Sequence, residues 1–451
     1  MRAIVVYMHT PDHLNSLTPM KRTELLPSLL ITGMALGTAW AVRGQFGHEH
    51  AAAWAGGIGC LTILLLSGRA DWLKNAFNAT LAGALGWGLG GIMSYGKVVG
   101  YGRSTDFGNV YYGLLMLFVI GGLYGFLGGG LFGISLSNPK GKKSIAWHRI
   151  MTEMTIGAIV VYFFVIGQFG WLMTPPRSEL WAACLGMAAA ITWYMIRQEM
   201  YSALKVAIIT GFGAGFGFAF GNFLQVLGSV SKLDFNFWNV MEYTLGFSGG
   251  LSMAYAVFTS GWEEKRTSSS SKSWILPVIV LLLVIPAIMW EQNTNVAKMH
   301  EHLSRLSAGV PRFVSAVAAI GPYILFLAAA GYWVSRLNAL KTFDRREIFS
   351  FYRILLGIYI LMSLLVTGSF VSVQRIEQYL YLVNFAVILY FLPRLEPAFR
   401  GEPVRWKSYA LNLVWFLLFT ALLAVVASNS HSEDLGGTNY RFGALANPDK
   451  K

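Results

Sequence analysis

The feature that most constrains this chain is a succession of apolar runs, each roughly 20 residues long, the length a helix needs to cross the hydrocarbon of a bilayer. About thirteen fit that length, at 27–47, 51–67, 79–99, 109–136, 148–172, 178–197, 203–228, 238–260, 273–290, 312–335, 350–370, 376–393 and 408–428. Hydrophobic side chains make up 55% of the 451 residues and charged ones only 13%, and mean hydropathy is +0.51. A water-soluble fold of this size needs far more charge on its surface, so lipid is the expected solvent. In lipid the backbone must satisfy its own hydrogen bonds, which a helix does within one segment. The expected fold is therefore all-α, a polytopic helical membrane protein.

The chain carries a formal charge of +13, which raises nucleic acid as a partner. The basic residues, however, are spread over short connections instead of one helix face or one tail. Alternating the runs from an N-terminus inside puts 23 of the 35 Lys and Arg residues on the inner side, the bias that orients membrane proteins. This predicts a cytoplasmic N-terminus and, after thirteen spans, an outer C-terminus, in a bacterial inner (plasma) membrane. The bilayer is the expected partner, nucleic acid is not, and the oligomeric state stays open. Cys60 and Cys184 both fall inside apolar runs, which leaves no disulfide framework. No cleavable leader is expected, because Pro11, Asp12 and His13 follow a very short first apolar stretch.

Glycine divides the chain: 40 of its 49 glycines lie at or before Gly261. In a membrane, glycine lets helix backbones approach closely where no hydrophobic force drives association, so the first eight spans should be the tightly packed part. They read as two tandem four-helix repeats. Gly44-Gln45-Phe46-Gly47 returns at Gly167-Gln168-Phe169-Gly170, the Gly-rich run 83–100 at 211–228, Asp106-Phe107 at Asp234-Phe235, and Gly121-Gly122-Leu123 at Gly249-Gly250-Leu251. Units with an even number of spans point the same way, related by an axis near the membrane normal. The resulting division is an inner N-terminal segment 1–26, a first repeat 27–136, a second repeat 148–260, an inner linker 261–272, a C-terminal five-helix bundle 273–428 and a polar tail 429–451. Polar residues around Met299, Leu303 and Leu306 predict a short helix on the membrane surface within 291–311.

Ionisable groups inside a span are costly and mark functional sites by default. Arg43, Gln45, His48, Glu49 and His50 cluster at the outer end of the first hairpin, and Lys97 lies in the outer part of the third run. In the second unit Gln168 repeats Gln45, Asn222 and Gln225 stand in the third run, and Glu242 sits one turn into the fourth. These ten residues are the predicted binding set, arranged around an outward-facing polar cavity. The competing reading for 48–50 is a wet interfacial turn. Arg43 suits a carboxylate, sulfate or phosphate, which its fork holds through two parallel hydrogen bonds. Arg43 and His48 are replaced by Ile166 and Trp171 in the second unit, so charge chemistry belongs to the first alone. His48-Glu49-His50 and its echo His300-Glu301-His302 predict no metal site, because residues two apart face different sides of a helix and neither matches HExxH. A titrating role suits these histidines better. Trp40, Trp54, Trp87, Trp171, Trp181 and Trp238 read as interface anchors. The expected function is a proton- or ion-coupled secondary transporter of a small polar or anionic solute, with no cofactor identified. The alternative is a membrane-embedded enzyme acting on a lipid-linked or extracytoplasmic substrate, with Glu49 or His48 as general base.

Overall fold

The computed structural model describes residues 22–47, 49–140, 144–175, 179–264, 273–307, 309–340, 344–370, 373–402 and 406–443. Among them all regular structure is helical: α1 (Arg22–Arg43), α2 (Glu49–Ser67), a single turn α3 (Ala70–Leu73), α4 (Ala76–Gly90), α5 (Gly96–Tyr101), α6 (Phe107–Leu136), α7 (Trp147–Tyr162), α8 (Trp181–Arg197), α9 (Tyr201–Val230) and α10 (Phe237–Thr259). After these come α11 (Ile275–Ile279) and α12 (Ile285–Asn293), joined by a π-turn, then α13 (Val296–Leu306), α14 (Arg312–Ala339), α15 (Arg345–Thr367), α16 (Ile376–Phe391) and α17 (Trp406–Asn429). Ten helical stretches among the described residues are long and apolar enough to cross a membrane. The other three expected runs are helical for different lengths or with different character. Run 79–99 is interrupted between α4 and α5, α8 has only 17 residues, and α10 carries the polar Asn239 and Glu242 near its start.

Six helices close a ring: α1 packs on α2, α2 on α4, α4 on α6, α6 on α9, α9 on α10, and α10 back on α1. Glycine makes the last contact so close that a Cβ on Gly246 would stand 2.5 Å from Trp40 Cβ, and one on Gly250 2.6 Å from the Thr32 carbonyl. The middle of the ring is filled. The Trp87 indole of α4 packs edge-on against Trp40 of α1, with centroids 5.0 Å apart, and abuts Gly56 of α2, Gly128 of α6 and Gly249 of α10. Trp40, Trp54 and Trp87 are thus completely buried and are not interface anchors, whereas Trp171 is exposed. An average hydropathy cannot separate a tryptophan at the lipid headgroups from one that plugs a helix bundle.

The remaining helices surround this ring unevenly. α7 and α8 pair with each other, and α8 touches α6 and α9. Helices α11, α12, α15 and α16 lie along α1, α2 and α4, while α17 packs on α6 and α9, away from them. α13 is a short amphipathic helix capped by Asn295, whose side chain accepts from the Lys298 amide at 2.8 Å, and it buries Met299.

Hydrogen bonds sort the connections onto two faces. On one, Arg69 donates to the Glu263 carbonyl (2.9 Å), Asn138 to the Glu264 carbonyl (2.8 Å), Ser202 to the Gly261 carbonyl (2.5 Å), and the Glu402 amide to the Thr259 carbonyl (2.7 Å). On the other, residues 430–443 lie across the segment joining α5 to α6. The Leu435 amide donates to the Arg103 carbonyl (3.3 Å), the Asn439 amide to the Gly100 carbonyl (3.1 Å), and the Arg441 amide to Asn109 Oδ1 (2.6 Å), while the Arg441 side chain donates to the Leu172 carbonyl (2.9 Å). Residues 430–443 are therefore a fitted cover on the face that carries the α1–α2 turn.

Candidate functional site

Helix α1 stops at Arg43 because the next four residues turn. The amides of Gly44, Gln45 and Phe46 donate to the carbonyls of Ala41, Val42 and Arg43 at 3.2, 3.1 and 2.8 Å, the tightened pattern of a helix end. Gly47 follows with φ +82°, a left-handed conformation that glycine adopts without strain. The second GQFG ends the same way, with Gly170 at φ +63° after the π-turn Phe163–Gln168. The repeated tetrapeptide is therefore a helix-stop signal in both places. Its surroundings differ: Phe46 is buried against Tyr359 and Trp290, with centroids 5.9 and 6.4 Å away, whereas Gln168 and Phe169 are exposed.

The stop leaves Arg43 at the C-terminal end of α1, where carbonyl dipoles favour a cation, directly beneath the turn. Its Nη2 donates to Glu242 Oε2 of α10 at 2.5 Å and to Tyr95 Oη at 2.6 Å, and the Tyr95 hydroxyl donates to Glu242 Oε1 at 2.8 Å. Nη1 reaches the Gly47 carbonyl at 3.3 Å, and the guanidinium carbon stands 4.8 Å from the centre of the Trp40 ring. Both charged side chains are 1% exposed. Tyr95 comes from the interruption between α4 and α5, and its ring packs edge-on against Phe218 of α9 at 4.8 Å. One ion pair thus joins α1 to α10 where the ring closes, and the break in α4 supplies the bridging hydroxyl. A pair this well buried offers little net stability, because desolvation offsets much of its attraction.

A second polar cluster lies behind α5. Asn222 and Gln225 of α9 are buried; Asn222 Nδ2 donates to Gln225 Oε1 at 3.1 Å and to the Val99 carbonyl at 3.4 Å, and its Oδ1 crowds Gly102. Lys97 donates to Asn439 Oδ1 of the tail at 3.1 Å. Of the ten predicted residues, the structure brings Arg43 and Glu242 into contact and Asn222 and Gln225 into contact. Gln45 stands half-buried in the turn, His50 Nδ1 pairs with Gln292 Oε1 at 3.1 Å, and Gln168 lies on an exposed surface. Glu49 opens α2, and His48 lies outside the described residues. Tyr95 and Trp40 complete the first cluster, and neither belongs to the predicted set.

The second histidine pair is separate from the first. His300 Nδ1 meets Ser315 Oγ at 2.9 Å, and Glu301 binds Arg305 at 2.5 Å. Burial, with Arg305 and Arg375 nearby, holds His302 below its ordinary pKa. No cluster of three or more His, Cys, Asp or Glu able to hold a metal occurs among the described residues. On the opposite face, a cavity of about 350 Å³ between α9, α10 and α17 is lined by Lys205, Phe212, Ser252, Tyr255 and Glu402, none of them in the predicted set.

The fold and the buried pair together define a polytopic helical membrane protein with an ionisable centre inside its helix ring. Compared with protein-family models, characterised proteins and solved structures, the chain matches none.

Proposed function

We propose that the protein is a proton-coupled secondary transporter of a small anionic or polar solute, with Arg43, Tyr95 and Glu242 as its exchange site. The observation that supports this is the fully buried Arg43–Glu242 pair, one oxygen of which is also held by Tyr95. Arg43 has one fork and can hold either the Glu242 carboxylate or an incoming carboxylate, sulfate or phosphate. When Glu242 takes a proton, its claim on the fork weakens and an anion can replace it. For a monovalent anion the centre is neutral before and after, since one proton and one negative charge arrive together; a divalent anion requires a second proton. That coupling avoids placing net charge in a low-dielectric interior. Tyr95 can donate to whichever oxyanion occupies the fork. Gln45, Glu49 and His50, in and beside the turn above Arg43, would line the entrance together with His48, which lies outside the described residues, with Lys97, Asn222, Gln225 and Gln168 further from the exchange centre. The charge bias puts this face outside and the N-terminus in the cytoplasm of a bacterial plasma membrane. The two GQFG stops are consistent with a duplicated scaffold from which only the first copy kept its charge.

The test is reconstitution into liposomes containing a pH-sensitive dye. Phosphate, sulfate and a panel of small carboxylates are added outside in turn. The expectation is anion-dependent acidification of the lumen, abolished in Glu242→Gln and in Arg43→Gln. A dye response equal to that of empty liposomes for every anion would sink the proposal.

A further inference from the structure

A second carboxylate is buried one helix away from the exchange centre. Glu377, in the first turn of α16, is 4% exposed, and its Oε1 accepts from Arg375 Nε at 2.5 Å, Asn236 Nδ2 at 3.3 Å and Asn239 Nδ2 at 3.3 Å. Arg375 is about one-third exposed, so this pair reaches solvent at the site face. Asn239 stands three residues before Glu242 on α10, which places the two side chains on one helix face a turn apart. Likewise Tyr381 follows Glu377 by four residues on α16, and its phenol lies within electrostatic reach of both Glu377 and Glu242.

Two buried polar atoms in this seam, Asn239 Oδ1 and Tyr381 Oη, have no hydrogen-bond partner among the described residues; a third such atom, Gln378 Nε2, belongs to a side chain whose Oε1 accepts from Ser363 of α15. Their residues are 3%, 4% and 0% exposed. Reversing the Asn239 amide does not remove the anomaly, because it would set an oxygen against the Glu377 carboxylate. With its NH2 on Glu377, its Oδ1 must face inward, and it does, lying 3.4 Å from where a Cβ on Gly44 would stand above Arg43. Buried polar atoms are almost always satisfied by protein or by ordered water, and a buried water takes about three such partners. The Tyr381 hydroxyl and the Asn239 carbonyl oxygen are two such partners.

We infer that the seam between α10 and α16 is a hydrated proton path running from the Arg375–Glu377 pair at the surface, past Tyr381 and Asn239, to Glu242. A proton binds Glu377, moves to water, and crosses by exchange at the Tyr381 hydroxyl, which accepts one proton on its oxygen as it releases its own. It ends on Glu242 as the Arg43 fork lets go. Each transfer breaks one O–H bond and makes one, and no charge stays in the seam. The groups in contact with Glu242 are Arg43 from α1 and Tyr95 from the α4–α5 break, and within its electrostatic reach without contact are Tyr381 from α16 and Tyr359 from α15. Glu377 faces Arg375, Asn236, Asn239 and Tyr381. This inference rests on the proposal that Glu242 is the group that exchanges protons.

The experiment follows Glu242 itself, with the anion panel of the liposome assay present outside so that a negative charge can accompany the proton. In the full-length protein in liposomes, the carboxylic C=O stretch is recorded by time-resolved infrared difference spectroscopy after an external pH jump, and assigned by its loss in Glu242→Gln. Tyr381→Phe removes one oxygen and keeps the packing; it should slow the appearance of that band roughly tenfold, a barrier increase of about 1.4 kcal/mol. Glu377→Gln should slow it at least as much. Wild-type kinetics in both variants would overturn the path while leaving Glu242 as the coupling group. A band that never changes with pH in the wild type would overturn the coupling role, and the path with it.

Discussion

Glu242→Gln and Arg43→Gln, alone and together, separate a structural ion pair from a functional one. Each single change leaves a 1%-exposed partner without its counter-charge, and breaking a buried pair from one side costs about 3–5 kcal/mol. Arg43 is partly compensated in Glu242→Gln: the Tyr95 hydroxyl and the Gly47 carbonyl remain as partners, and the Trp40 face contributes about 0.5–2 kcal/mol as a cation–π contact. The expected loss in Glu242→Gln is therefore nearer the lower figure, about 3 kcal/mol. In the double variant no charge is buried, and water can fill the space left by the shorter side chain at position 43. Its loss should fall to about 1 kcal/mol, giving a coupling energy of several kcal/mol between the sites. Reversible unfolding in mixed micelles, followed by tryptophan fluorescence, measures all four proteins. A double variant as unstable as the sum of the singles would refute the premise that desolvated charge dominates this centre. The dye assay then gives the other half: the double variant should recover stability and stay inactive.

Other consequences can be checked separately. Tyr95→Phe removes the hydroxyl that bridges Arg43 and Glu242 and should cost about 1–3 kcal/mol in the same unfolding assay, with anion-dependent acidification reduced. Gly246→Leu drives a side chain into Trp40 where a Cβ already stands 2.5 Å away; a loss of about 1–3 kcal/mol or more is expected, and a neutral result would disprove the close α1–α10 approach. Single cysteines at Asp234 and Glu264, both exposed and on opposite faces, should label from the outside and the inside respectively, with little background from the buried Cys60 and Cys184. His302 is held neutral by burial, Arg305 and Arg375. The unfolded chain therefore binds more protons below the ordinary histidine value, and the docking of α13 should weaken as pH falls below about 6.5. Hydrogen exchange across 296–306, corrected for intrinsic rates, should rise on acidification in the wild type and not in His302→Asn.

Apolar run length alone locates most of the helices, because a spanning helix must satisfy its backbone by itself. Arg43 and Glu242 are each conspicuous as charges within apolar runs. Their contact is not legible in the sequence: they are 199 residues apart, and only the packing of α10 on α1 brings them together. Nothing in the sequence marks Tyr95, because no proline signals the interruption at 91–95 and tyrosine is ordinary near a membrane surface. Glu377 reads as a polar residue just before an apolar run, and it is buried only because the first turn of α16 is tucked beside α10. Asn222 and Gln225, expected around one cavity with Gln168, sit instead behind α5, while the second GQFG ends a helix on an exposed surface.

The indole of Trp87 has a mechanical consequence. It touches four other helices at once, three of them through glycines that offer bare backbone. Turning α4 about its axis would sweep the ring into main-chain atoms, which cannot step aside as side chains do. Helices α2, α4, α6 and α10 are thereby interlocked and must travel as a block. If the two faces of the membrane are ever connected through this protein, the opening cannot run down the middle of the ring. It has to run beside it, where α16 lies against α1 and the Arg43 end of that helix is released.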